Sequence, residues 1–259
     1  MLAQQRYEMI LELLKEEGNV HTADLVTRMG VSSETVRKDL AYLEKAGQLT
    51  RVHGGAVPIA EQRPAVCDGY ITLRMRNAQH MNEKTAITQY AAEAMVREHQ
   101  VIALDYGSTS QQMAGALKER FQELTVITNS LQNALILAEC PGFTIILTGG
   151  VLNKNEYTLI DNLAPIMEQL HIDTYFMSVT GIDPAIGCTD LGFREANVQN
   201  WMRQAADHTV ILADSSKFGR ASLVKVCPVD AVDAIITDSG LSDEMKQAFS
   251  KTAAKLIVI

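Results

Sequence analysis

From about residue 101 to the end of this 259-residue chain, short apolar runs alternate with amphipathic stretches, and few folds satisfy that alternation. The runs fall at 101–105, 124–128, 143–148, 174–180, 209–214, 234–238 and 255–259. Strands that alternate with helical patterns give a mostly parallel sheet with helices on both faces, an α/β domain. Six of the runs finish apolar and then turn polar, at Asp105, Thr128, Thr148, Thr180, Asp214 and Asp238. In open α/β sheets, ligands bind in the crevice beyond the carboxyl ends of the strands. After any one strand such a residue commonly does no more than cap the next helix. Six in one domain point to a ligand pocket.

Several of these ends carry specific chemistry. Asp105-Tyr106-Gly107-Ser108-Thr109 supplies a flexible glycine, two hydroxyls and backbone N–H groups at a helix start, a cradle suited to phosphate. It is not a Walker A loop, because no Gly-Lys-Ser/Thr follows. Thr128-Asn129-Ser130 is a second polar turn that opens a helix. Thr148-Gly149-Gly150 would let backbone approach a ligand closely. Asp214-Ser215-Ser216-Lys217 offers a cation that could pair with a phosphate or with Asp105. A lone lysine there is otherwise a surface charge.

Residues 1–57 have a different pattern. Leu2, Ile10, Leu13 and Leu14 mark one face of a helix ended by Gly18. Thr22 is placed to cap a second helix with apolar Leu25, Val26 and Met29, stopped by Gly30. Ser32 is placed to cap a third, with Val31 and Val36 spaced as a hydrophobic staple and Val36, Leu40 and Leu43 inward. Two short helices joined through a glycine turn have the spacing of a helix-turn-helix. Leu49 to Val57 reads as a strand, a Gly54-Gly55 turn and a return strand. Ser33, Glu34, Thr35, Arg37 and Lys38 occupy the first turns of the third helix, the part of a recognition helix that reaches base edges. Arg37 suits a bidentate contact to guanine, Lys38 a phosphate or guanine contact, and Arg51 and His53 on the hairpin suit the DNA backbone. The competing reading is a solvated helix with a charged outer face.

The stretch 58–82 reads as a linker, broken by Pro58 and Pro64 and without a sustained period. A helix resumes at Glu83-Lys84 and runs toward Arg97, with Ile87, Ala91, Ala94 and Met95 expected inside. The domains are thus a winged helix-turn-helix at 1–57, a linker at 58–82, and an α/β effector-sensing and oligomerisation domain at 83–259. Net charge is −8, and residues 1–57 contribute −1 of it from seven Lys/Arg and eight Asp/Glu. Bulk charge therefore does not attract DNA, and a local basic cluster must. Cys67, Cys140, Cys188 and Cys227 are scattered, never spaced C-x-x-C, and read as free thiols of a cytoplasmic protein. No apolar run is long enough for a membrane span.

The run from Val31-Ser32-Ser33-Glu34-Thr35-Val36-Arg37-Lys38-Asp39-Leu40 through Leu43-Glu44, Gly47, Leu49 and Arg51-Val52-His53-Gly54-Gly55-Ala56 resembles the N-terminal signature of the DeoR family of bacterial regulators. That family usually carries Arg-Arg-Asp-Leu; Lys38 keeps the charge of the second arginine and loses its planar fork. The resemblance continues through Asp105-x-Gly-Ser-Thr, Thr128-Asn129-Ser130, Gly149-Gly150, Gly181-Ile182-Asp183, Glu195-Ala196 and Asp214-Ser215-Ser216-Lys217. It implies a sensor domain similar in fold to ribose-5-phosphate isomerase and glucosamine-6-phosphate deaminase. It also implies a phosphorylated sugar as effector, held by residues of those segments, Glu195 included. Where the family often has Gly-Pro after its Gly-Gly segment, this chain has Asp161-Asn162. The implied protein is a repressor of a carbohydrate-utilisation operon that binds double-stranded operator DNA.

A rival expectation is an enzyme, a sugar-phosphate isomerase or deaminase fused to a DNA-binding module, with Asp105, Asp183, Asp190 or Glu195 moving a proton. Ser108 has no adjacent histidine to activate it, and neither the six histidines nor any H-E-x-x-H spacing suggests a metal. The sequence is therefore read as a non-enzyme that needs neither cofactor nor metal. One short recognition helix covers few base pairs, so a homodimer or homotetramer is expected.

Overall fold

A computed structural model describes residues 3–17, 20–46, 48–52, 55–58, 73–161 and 169–259. Contacts divide the chain into two compact units, residues 1–70 and 71–259.

In the first unit, α1 (Ala3–Glu17), α2 (Thr22–Met29) and α3 (Ser33–Lys45) accompany three short strands, β1 (Val20–His21), β2 (Leu49–Val52) and β3 (Gly55–Pro58), in the order β1-β3-β2. Ile10, Leu14, Val20, Leu25, Met29, Val36, Leu40, Leu43, Leu49 and Ala56 form its core. Ser32 caps α3 as its position predicts, its hydroxyl accepting the Thr35 N–H at 3.2 Å. Thr22 does not cap α2: His21 occupies that place, with no side-chain cap bond, and Thr22 is already helical. The reason is β1, which holds His21 extended against Gly55. Asp39 faces inward with the apolar stripe because Arg6 of α1 grips it with a two-pronged bond, Nε to Oδ2 at 2.6 Å and Nη2 to Oδ1 at 2.9 Å. His53 and Gly54 lie outside the described residues.

The second unit opens with α4 (Leu73–Ala78) and α5 (Met81–Met95). Both begin inside the stretch read as a linker. Leu73 is buried and Asn77 bonds Gln111, so this helix docks on the domain that follows. Ala94 is exposed and Met95 half-buried, because α5 buries Lys84, Ile87, Thr88, Ala91 and Ala92, and Ala94 falls off that stripe.

All seven sequence-predicted strands exist. They are β4 (Val101–Leu104), β5 (Thr125–Thr128), β6 (Thr144–Leu147), β9 (Ile172–Ser178), β12 (Ala206–Leu212), β14 (Ala234–Thr237) and β15 (Lys255–Val258). They form one parallel sheet in the order β15-β14-β12-β9-β4-β5-β6. The two-residue period sorts its side chains between two cores. Ile102, Leu104, Phe176, Val210 and Leu212 pack on one face with α5, α6 (Ser108–Arg120) and α7 (Leu131–Leu137). Ala103, Tyr175, Met177 and Ile211 pack on the other with α8 (Phe193–Ala205) and α9 (Asp243–Phe249).

The chain winds from β4 out through β5 to β6, then restarts at β9 on the opposite side of β4. The order therefore reverses between β4 and β9, and the crevice outside their carboxyl ends is where such sheets bind ligands. Two small sheets flank the main one: the hairpin of β7 (Val151–Asn153) and β8 (Thr158–Ile160), and β10 (Gly181–Asp183) with β11 (Gly187–Asp190) and β13 (Val224–Cys227). The three described cysteines are free, and buried Cys188 and Cys227 face each other across β11 and β13.

Candidate functional site

Asp105 follows β4 at the point of reversal and continues the parity of Ala103, so it turns toward α8. Its Oδ2 accepts the Ser178 N–H at the end of β9 at 3.1 Å and Gln199 Nε2 of α8 at 2.8 Å. Gln199 Nε2 also reaches Asp190 Oδ2 at 2.9 Å, and the Tyr106 hydroxyl donates to the same oxygen at 3.0 Å. One amide thus bridges two buried carboxyl groups. Burial above all, with the nearby Asp190 charge adding to it, pushes Asp105 up to about 8 against the bonds from Gln199, Tyr106 and Ser178. With its pKa raised to about 8, Asp105 is mostly protonated at neutral pH and adds little negative charge to the strand ends.

Gly107 then turns the chain at φ +100°, a conformation side chains rarely adopt, and α6 starts at Ser108. The first N–H groups of a helix have no intrahelical partner and favour an anion. Ser108 and Thr109 lie almost buried beside them. Asn133 of α7 ties this loop to the next, donating to the Asp105 carbonyl at 2.7 Å and to Ser110 Oγ at 2.8 Å.

Buried polar atoms without a hydrogen-bond partner gather at these strand ends. Among the described residues they include both amide atoms of Asn129 after β5, Ser178 Oγ at the end of β9, Asp214 Oδ2 after β12 and Thr237 Oγ1 at the end of β14. A buried polar group left unpaired costs about 1–3 kcal/mol. Several of these groups stand at the carboxyl edge of one sheet.

Cations stand opposite. Arg76 Nη1 lies 4.0 Å from the place a Cβ at residue 107 would take, and the guanidinium is ion-paired to Glu156. Lys217 closes a short turn that Asp214 caps through the Ser216 N–H at 3.1 Å. Burial lowers Lys217 most; Asp214 and Asp190 pull it up, and Arg76 and Arg220 push it down. Lys84 is likewise lowered, by burial first and then by Lys217 and Arg76, against Asp214. Its ammonium donates to the carbonyls of Arg76 and Gln79, both at 2.6 Å, and so fixes the segment that carries Arg76. Lys217 and Lys84 both feel the Asp214 charge, while the Arg76 guanidinium is held by Glu156.

The structure therefore brings together Asp105, Gly107, Ser108, Thr109, Thr128, Asn129, Ser130 and Lys217 at the carboxyl edge of one sheet. The acids whose charges act on Lys217 are Asp214 and Asp190, not Asp105. Gly149 and Gly150 follow β6, but the closeness that demands glycine at 150 is to the Ile160 carbonyl, 2.1 Å from a built Cβ. Glu195 accepts Asn153 Nδ2 at 2.7 Å and lines a groove of about 660 Å³ with Val151, Leu152 and Phe193. Asp183 stands apart, capping the turn at Ala185 and Ile186. Asp161 pairs with Arg194, and Asn162 lies outside the described residues.

Sequence reasoning missed Arg76, Lys84, Tyr106 and Gln199 as members of this site. The first two sit in or beside the stretch read as a linker. The others carry no signal until the register is known.

In the first unit, Ser33, Glu34, Arg37 and Lys38 are exposed along α3 and Thr35 is half-buried. Glu34 and Lys38 form only a loose pair at 3.8 Å, and Arg37 has no ion pair among the described residues. Arg51 is anchored to Glu44, its N–H reaching Oε1 at 3.0 Å.

The family model of the DeoR-like helix-turn-helix domain matches residues 6–62, and that of the DeoR C terminal sensor domain matches residues 79–239. The chain is 32% identical to the HTH-type transcriptional regulator GolR of Listeria innocua, covering 95% of this chain and 94% of the relative. It is 30% identical to the glycerol-3-phosphate regulon repressor of Escherichia coli K12, over 91% and 90%. It is also 30% identical to the HTH-type transcriptional regulator GlpR of Haloferax volcanii, over 99% and 98%. These relatives are transcription regulators, which sets aside the enzyme reading.

Proposed function

Because the chain belongs to the DeoR family of DNA-binding transcription regulators, we propose that it represses a carbohydrate-utilisation operon from the cytoplasm and leaves its operator when a phosphorylated sugar fills the sheet crevice. The set of buried polar atoms at the strand ends, with the Arg76 guanidinium beside the Gly107 turn that opens α6, carries this reading. The phosphate sits on the first N–H groups of α6 with the Ser108 and Thr109 hydroxyls, and Lys217 and Arg76 balance its charge. Asn129 takes the sugar hydroxyls, having both a donor and an acceptor to offer. A specific ligand raises the melting temperature by mass action. A panel of three- to six-carbon sugar phosphates, each beside its unphosphorylated parent, tests this. At least one phosphorylated member raises the melting temperature while its parent does not; equal shifts within every pair refute a phosphate site.

DNA recognition rests on Arg37, exposed in the first turns of the capped α3. Arg37→Ala weakens operator binding by about 1–3 kcal/mol if the guanidinium reads a base. The fold survives, since the Arg37 side chain is exposed. Unchanged affinity in an anisotropy titration removes Arg37 from the reading surface. The active species is an oligomer that places two recognition helices on repeated half-sites. Sedimentation at micromolar concentration shows a dimer or tetramer; a monomer with full operator affinity contradicts this.

A further inference from the structure

The main sheet has a second concentration of ionisable groups, at the end away from the crevice. His171 stands just before β9, Asp173 is its second residue, and Asp207 is the second residue of β12. Strand parity places His171 and Asp173 on the same face as Tyr175, and Asp207 on the same face as Ile211, which is the α8 side in both cases. The parallel register pairs Ala206 with Ile172 and His208 with Thr174, so Asp207 lies level with Asp173. His171 Nε2 is 3.1 Å from Asp207 Oδ2. One donor atom from each of the three residues lies within 4.8 Å of the others.

Like charges placed side by side on neighbouring strands destabilise a sheet. Among the described residues no lysine or arginine forms an ion pair with either carboxylate. Asp173 Oδ2 is fixed by the Val101 N–H of β4 at 2.7 Å, which orients the carboxylate as an outer-shell bond orients a metal ligand and leaves Oδ1 without a hydrogen bond among the described residues. Imidazole and carboxylate donors suit zinc and its first-row neighbours, with bonds of about 2.0–2.2 Å. With Asp173 held, donor atoms within 4.8 Å need only small movements of the two exposed side chains, His171 and Asp207, to meet one ion.

We propose that His171, Asp173 and Asp207 form a divalent transition-metal site of the zinc type, clamping the starts of β9 and β12. Three protein ligands leave positions open for water. The clamped strands are the ones whose far ends carry Ser178 and Asp214 into the crevice. The site and the effector crevice occupy opposite ends of these strands, so either can fail without the other.

The test is calorimetric titration of the untagged, chelator-stripped full chain with zinc chloride, with magnesium chloride as control. Wild type binds one zinc per chain and its melting temperature rises with zinc, whereas magnesium produces neither effect. His171→Ala and Asp207→Asn each lower zinc affinity by at least about tenfold, a loss that even an outer-shell substitution can produce. In chelator His171→Ala stays near the wild-type melting temperature, since its side chain is exposed, and Asp207→Asn matches or exceeds it, since it relieves the Asp173–Asp207 repulsion. His208→Ala, on the opposite face and paired with Asp233, binds zinc as wild type does. No saturable zinc binding, or equal binding by wild type and His171→Ala, overturns the proposal. So does loss of binding in His208→Ala.

Discussion

Asp105→Asn stabilises the folded chain at neutral pH, by up to about 4 kcal/mol. The unfolded carboxyl ionises near 3.8, whereas the folded one keeps its proton until about 8. Between those values the folded state binds the extra proton, so wild-type stability falls as pH rises from about 4 to about 8, and levels off above that. This group's contribution is complete only below its unfolded pKa. Asparagine resembles the protonated acid: its carbonyl can accept from Ser178 N–H and Gln199, and nothing titrates. Urea unfolding at pH 5 and pH 8 reads the effect. The wild-type decline between the two exceeds that of the variant, and the variant is the more stable at pH 8. A variant that is less stable at pH 8, with equal slopes, shows that Asp105 is ionised in the fold.

Lys217→Met lowers effector affinity by about one to two decades, the worth of a charge-assisted bond of roughly 1.5–3 kcal/mol. Methionine keeps most of the apolar stem and removes the charge. The ligand-free variant keeps its melting temperature or gains on it, because one of several mutually depressing cations has gone. That combination separates a ligand contact from a structural role, which would lower stability and leave affinity alone. An effector shifts an equilibrium only by its differential affinity, so the response of operator-bound protein moves to higher effector concentration by the same factor. Matching response midpoints in wild type and variant make Lys217 a surface charge.

Much of the crevice was legible because strand ends announce themselves locally. An apolar run that stops at Asp105, Thr128 or Asp214 states both where the strand finishes and which polar group stands at the carboxyl edge of the sheet. Ser32 and Gly30 were legible for the same reason, each acting on neighbours within four residues. What escaped depends on which strands are adjacent. Gln199 joins Asp105 to Asp190 across 94 and 9 residues, and Tyr106 meets Asp190 across 84. His171 and Asp207 show no metal spacing in the sequence because β9 and β12 bring them level only in the sheet. Arg76 escaped for another reason: six helical residues are too few to show a period, so α4 passed for linker. Thr22 failed as a cap because a strand of two residues, β1, set the helix start from outside.

The coupling of crevice to DNA is tested most directly by fluorescence anisotropy on a duplex that the full chain selects from a random-sequence DNA pool. The full chain is titrated with and without a saturating amount of the sugar phosphate that raises its melting temperature. Coupling between sites is typically 1–3 kcal/mol, so the phosphorylated sugar is expected to weaken DNA binding by at least about fivefold. Its unphosphorylated parent leaves the curve in place. Identical curves with and without saturating sugar phosphate contradict a regulator switched through this crevice.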